Sequence, residues 1–146
     1  MATGVTTEQS VINLGKAVVL EYNSKNWEAC KANMARDYVY DEIATHRRVQ
    51  GPDNVLDIWR GWAKAFPDSE GEIHRSFASG DIAVTELTWK GTHSGPLQMA
   101  DRTIAATGRR IDLRACQITT VKDGRVTETR HYFDMGTLMG QLGVRA

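Results

Sequence analysis

Apolar positions at the start of the chain repeat at helical intervals. Val11, Leu14, Val18 and Tyr22 make one stripe, and Thr6 and Gln9 stand before it at capping-box spacing. A second, short helix is predicted after Asn26, a good cap, with Trp27, Cys30 and Met34 on neighbouring turns. Tyr38-Val39-Tyr40 reads as a short strand. Gly51-Pro52 opens a third helix with proline at its tolerated first position. Val55, Ile58, Trp59, Trp62 and Phe66 share one face of it, and Pro67-Asp68 ends it.

From Glu70 the pattern changes to runs of β-branched and aromatic residues broken by glycine turns, the mark of an antiparallel meander. Gly80-Asp81 and Asp123-Gly124 are the clearest hairpin turns. The strands are predicted over residues 72–79, 82–93, 110–122 and 125–133. Residues 94–109 form one long connection, and Met135–Leu142 adds a helical turn or two at the end. Helices first and sheet second is an α+β layout, expected as a single domain over residues 1–146. A curved sheet needs one face covered, the three early helices supply the cover, and curvature leaves a hollow between the layers. On the strand over 110–122, Ile111, Leu113, Ala115, Gln117, Thr119 and Val121 share the face that suits the inside, while Arg110, Asp112 and Arg114 share the other. On the next strand Glu128, Arg130, Tyr132 and Asp134 fall on one parity, subject to any bulge.

Composition narrows the class of function. The 146 residues are 41% hydrophobic, enough for one core that also walls a cavity. Eighteen Lys+Arg balance eighteen Asp+Glu, so there is no basic field to hold nucleic acid or an anionic membrane. Cys30 and Cys116 match no disulfide or zinc pattern and fit a reducing cytoplasm, and the N-terminus carries no signal or anchor pattern. His46, His74, His93 and His131 are scattered without metal-site spacing, so no metal is expected.

Five strings occur in the order in which they occur in the SnoaL-like polyketide cyclases and ester cyclases of the NTF2-like superfamily. They are EYNSKNWEA, AFPD, GTHSGP, ATGRRID and VKDGRVTE with YFD. The chain resembles that family nearly end to end. The resemblance implies a cone of helices against a curved antiparallel sheet, an apolar pocket at the wide end, and a homodimer through the outer sheet face. It also implies an intramolecular aldol cyclisation run by an aspartate without metal or organic cofactor. Asp134, closing YFD, matches that aspartate, and Gln117 resembles the family's pocket glutamine. Thr119 stands where some cyclases carry histidine, and Arg130 where many relatives have tryptophan.

The candidate catalytic residues are therefore Asp134 as acid/base, the pocket amide Gln117 and the proton donor His93, and the candidate substrate contacts are Tyr22, Tyr40, Trp59, Trp62, Phe66, Met99, Leu113, Thr119 and Arg130. Each has a structural alternative. Asp134 precedes a helical segment it could cap. Arg130 could pair with Glu128 or Asp134. His93 could be a turn residue bonded to backbone, and the aromatic face could be plain core or a lining for a planar or polycyclic ligand. His131, opposite in parity to Asp134, is expected on the outer face, and His46 in water. Asp112 and Arg114 resemble the carboxylate–arginine pair of epoxide hydrolases of this fold, but their parity puts them outside. The expected activity is acid/base chemistry on a small ketone-bearing or polyketide-like molecule. The alternatives are a non-catalytic ligand-binding module and an interaction protein with a vestigial pocket.

Overall fold

The computed structural model describes residues 7–145. Thr7 caps α1 (Glu8–Ser24) by accepting from the Ser10 amide. The cap expected at Thr6 lies outside the described residues, and Gln9 bonds the Asn13 side chain one turn on. Asn26 caps α2 (Trp27–Ala32) through the Ala29 amide. The strand expected at Tyr38–Tyr40 is longer, β1 (Met34–Glu42). A 3-10 turn at Ile43–Thr45 then returns the chain as β2 (Arg47–Gln50), a strand the short charged run conceals. Pro52 starts α3 (Pro52–Ala65), which buries Val55, Leu56 and Trp59.

The meander follows as β3 (Glu70–Ser79) and β4 (Ile82–Thr92). Within the long connection, β5 (Leu97–Gln98) and β6 (Thr103–Ile104) form a two-residue ladder of their own. Then come β7 (Arg110–Lys122), β8 (Arg125–Phe133) and the two-turn helix α4 (Met135–Leu142). The large sheet runs β2-β1-β8-β7-β4-β3. It is antiparallel except where β1 lies parallel to β8, a pairing between distant segments that local pattern cannot reveal. At the β7–β8 turn Asp123 and Gly124 take φ of 53° and 74°, the left-handed pair that a tight hairpin requires.

Helices cover one face. α1 crosses β3 and β4 so closely that a Cβ on Gly15 would stand 2.8 Å from the Ala83 side chain, so only glycine lets the layers meet there. One core cluster joins α1, α2 and α3 to β1 around Tyr22, Tyr38, Tyr40 and Trp59. A second gathers Phe66, Ile111 and Leu113 under Leu138, Met139 and Leu142 of α4, so the C-terminal segment is a fourth wall.

One extra residue decides which side chains of β8 face this core. Thr120 pairs with Glu128 while Val121 pairs with Val126, leaving Thr127 as a bulge. Val126 faces in, and beyond the bulge the alternation is inverted. Thr129 and His131 are buried, whereas Glu128, Arg130, Tyr132 and Asp134 take the outer side. The expected placements of His131 and Asp134 are exchanged.

Candidate functional site

Between the two core clusters lies a cavity of about 60 Å³. Val18 and Tyr22 of α1, Trp59 and Trp62 of α3, Phe66, Leu138 of α4, and the inner faces of β1, β4, β7 and β8 enclose it. A water needs about 10–15 Å³ on this scale, so the cavity holds a few waters or a small ring. Tyr22, Tyr40, Trp59, Trp62, Phe66, Leu113 and Gln117 all reach the wall as expected.

The remaining expected residues do not. Asp134 caps α4, its Oδ2 accepting from the Thr137 amide at 2.8 Å and the Thr137 hydroxyl at 2.7 Å, and these bonds hold its pKa below the usual aspartate value. Arg130 lies on the outer sheet face with its Nε 3.9 Å from Glu128 Oε1. His93 is fully buried outside the cavity wall, against the Phe66 ring, and its Nδ1 accepts from the Thr107 amide. Burial lowers its pKa. Met99 packs on the cluster under α4. Thr119 is inward but 3.4 Å from the Thr129 hydroxyl in solid packing. Asp112 and Arg114 are exposed on the outer side, as their parity requires.

In their place the fold assembles a buried polar chain. Glu42 is 0% exposed. Its Oε1 accepts from Arg47 Nη2 at 2.7 Å and Thr45 Oγ1 at 2.6 Å, and its Oε2 from Trp62 Nε1 at 2.9 Å and the Tyr40 hydroxyl at 2.7 Å. The Tyr40 oxygen lies 2.8 Å from His131 Nδ1, and Trp89 Nε1 donates to His131 Nε2 at 3.0 Å. An indole N–H can only donate, so Nε2 carries the lone pair and Nδ1 the proton. The ring is neutral: burial lowers its pKa to about 4, against the opposing pull of Glu42. For Glu42, burial alone would raise the pKa. The Arg47 charge and the hydrogen bonds from Thr45 and Tyr40 overcome it and bring the value below that of an ordinary glutamate. Tyr22, whose hydroxyl lies 2.7 Å from Ser69 Oγ, is pushed up to about 12 by burial.

Gln117 is the one cavity group left wanting. It is 3% exposed and its Oε1 has no hydrogen-bond partner. It lies directly across from His131 in the β7–β8 register, so an amide and an imidazole stand side by side on one wall. Glu42, Arg47, Trp89, Ser69 and His131 are the site residues that pattern reading did not select. Tyr38, Tyr40 and Glu42 share one strand parity, so a carboxylate in line with two tyrosines was the available signal.

A curved mixed sheet packed against helices is the architecture of the ketosteroid isomerase-like and NTF2-like proteins. Within it the chain belongs to the SnoaL-like polyketide cyclase family, whose model matches residues 14–142. A proposed SnoaL-like polyketide cyclase from Jannaschia sp. CCS1 is 17% identical with a TM-score of 0.83, each chain covered over 95%. IdmH from Streptomyces antibioticus, a proposed polyketide cyclase, is 23% identical with a TM-score of 0.77, covering 92% of this chain and 99% of that one. An LEH-like epoxide hydrolase from M. tuberculosis is 23% identical with a TM-score of 0.71, covering 92% of this chain and 90% of that one. These likenesses establish the fold. No protein of curated function matches the sequence.

Proposed function

We propose that this protein is a SnoaL-like enzyme that binds a small, neutral, ketone-bearing molecule and rearranges it by proton transfer next to the carbonyl, as in an aldol-type ring closure. The observation that carries this reading is the buried Gln117 amide, its Oε1 unpartnered, beside His131 in a largely apolar cavity. A buried acceptor without a partner costs free energy that a ligand O–H or N–H can recover, and the N–H₂ of the same amide, turned to a ligand carbonyl oxygen, would hold the charge of an enolate. No Asp, Glu, Lys or Arg lines the cavity among the described residues, so a ligand carboxylate would be desolvated without a counter-charge, which favours a neutral substrate.

Three tryptophans in the wall provide the assay. Small cyclic ketones such as cyclohexanone should change the intrinsic fluorescence saturably, and proton NMR in D₂O should show their α-hydrogens exchanging faster than in buffer. Binding without exchange would favour a non-catalytic binding module. That second reading has its own support, since both ring nitrogens of His131 are occupied and Asp134 lies outside. Absence of both signals would leave an interaction protein with a vestigial pocket.

A further inference from the structure

We propose that Glu42, Tyr40 and His131 form a proton relay, with His131 as the catalytic base at the cavity wall and Glu42 as the buried store for the proton. This rests on the enzymatic reading above and deepens it, since it assigns the acid/base role to a different part of the fold from Asp134.

The polarity of every bond in the chain is set from its two ends. Trp89 donates to His131 Nε2 at one end and Trp62 to Glu42 Oε2 at the other, and neither indole can accept. Between them the only consistent arrangement has Nδ1–H donating to Tyr40 and the Tyr40 hydroxyl donating to Glu42. The chain thus points all its protons from the cavity toward the carboxylate. A purely structural carboxylate would be satisfied by Arg47 and Thr45 on Oε1 and Trp62 on Oε2, yet Tyr40 adds a route from Oε2 to the wall. Arg47, whose side chain is 33% exposed, links the far end to the surface.

The step follows from that order. Trp89 must yield Nε2 to the ligand. The α C–H bond of the ketone then breaks, its electron pair forms the enolate double bond, and the carbonyl oxygen gains the charge beside Gln117. The proton goes to Nε2 as Nδ1–H passes to the Tyr40 oxygen and the Tyr40 hydroxyl proton to Glu42 Oε2. His131 ends neutral in its other tautomer, Tyr40 ends neutral, and Glu42 ends as the acid. Reversal returns the proton to carbon or to an alkoxide formed by ring closure. No imidazolium is needed, which suits a ring whose buried surroundings disfavour its charge. The titratable or charged groups around the ring are Tyr40, Glu42, Arg47 behind the carboxylate, and Tyr22 across the cavity.

The test is α-hydrogen exchange of cyclohexanone in D₂O with the intact chain, alongside binding by tryptophan fluorescence. Tyr40→Phe should lower exchange about a hundredfold while affinity changes less than about threefold, and Asp134→Asn should keep the wild-type rate. Because Tyr40 is buried, near-UV circular dichroism checks the fold. Glu42→Gln is the second variant, expected to lower exchange comparably while Tyr40 keeps an oxygen to donate to. Nitrogen-15 NMR of His131 reads the relay directly: the wild type should show the neutral Nδ1–H tautomer near pH 7, and Tyr40→Phe should lose it. Undiminished exchange in a folded Tyr40→Phe protein, or an Nε2–H or imidazolium ring in the wild type, overturns the relay and leaves the enzymatic reading standing. Wild-type protein that binds the ketone without exchanging it overturns both.

Discussion

His131 resists a proton that the unfolded chain accepts, because burial lowers its pKa from 6.5 to about 4. Its contribution to stability is complete above pH 6.5 and is lost as the pH falls from there toward 4. The loss totals about 3 kcal/mol, at roughly 1.4 kcal/mol per tenfold change in proton affinity. His93, shifted the same way, adds to the slope in that window. Glu42, held below 4.5, adds only at lower pH, where its carboxylate is protonated. Urea titrations at about pH 7.5 and about pH 5 should show the wild type losing stability between the two, and His131→Gln losing about 2 kcal/mol less. An identical loss in both proteins would mean that the ring is not buried neutral. Asp134 belongs to the same scale with the opposite role. Asp134→Ala should lower the thermal midpoint by removing the α4 cap and leave ketone binding unchanged, read by melting and fluorescence titration. The sequence admitted both readings of Asp134, and the Thr137 bonds settle its placement at the cap.

Among elements, the close crossing of α1 over the sheet makes a demand on one residue. Gly15→Ala improves helix propensity by up to about 1 kcal/mol but drives a methyl group against Ala83, whose own Cβ sits on a strand and cannot rotate away. The expected net effect is a destabilisation of about 1–2 kcal/mol by urea denaturation, and a more stable Gly15→Ala protein would show that the helix can lift off the sheet at little cost. Helix boundaries and both hairpin turns were legible because caps, Pro52, Gly80 and Asp123-Gly124 act within a few residues of themselves. The Thr127 bulge was not. Its signal is a mismatch between two strands, since the adjacent residues Thr120 and Val121 pair with Glu128 and Val126, which are two apart, and only the pairing reveals the surplus residue.

For the whole molecule, the uncovered face of the sheet remains to be accounted for. Phe77 is 52% exposed and lies in one row with Val84, Ile118 and Arg130 across β3, β4, β7 and β8. The neighbouring row pairs Arg75 with Glu86 and continues through Cys116 to Tyr132. An apolar stretch of Phe77, Val84 and Ile118 beside the Arg75–Glu86 pair is suited to a second copy of the same face, and we propose a homodimer on it. Sedimentation equilibrium at tens of micromolar should give twice the chain mass, and Ile118→Arg should give the monomer with the cavity still binding ketone. A wild-type monomer under those conditions removes the proposal. No described helix is long and apolar enough to cross a membrane.

The sequence by itself determined the α+β order, the three covering helices, the main strands, the inward face of β7 with Gln117 on it, and most of the aromatic cavity wall. Each of these follows from a local period or a local cap, information a short stretch carries whole. The ordered family strings were likewise enough to place the chain among the SnoaL-like proteins. Tertiary structure alone decided the parallel pairing of β1 with β8, the bulge that turns His131 in and Asp134 out, and the meeting of Glu42, Tyr40, His131, Trp62 and Trp89 in one chain of bonds. Those residues come from four elements spread between positions 40 and 131. Their contact depends on a register that shifts by one residue, and in a strand of period two a one-residue shift reverses every side chain that follows.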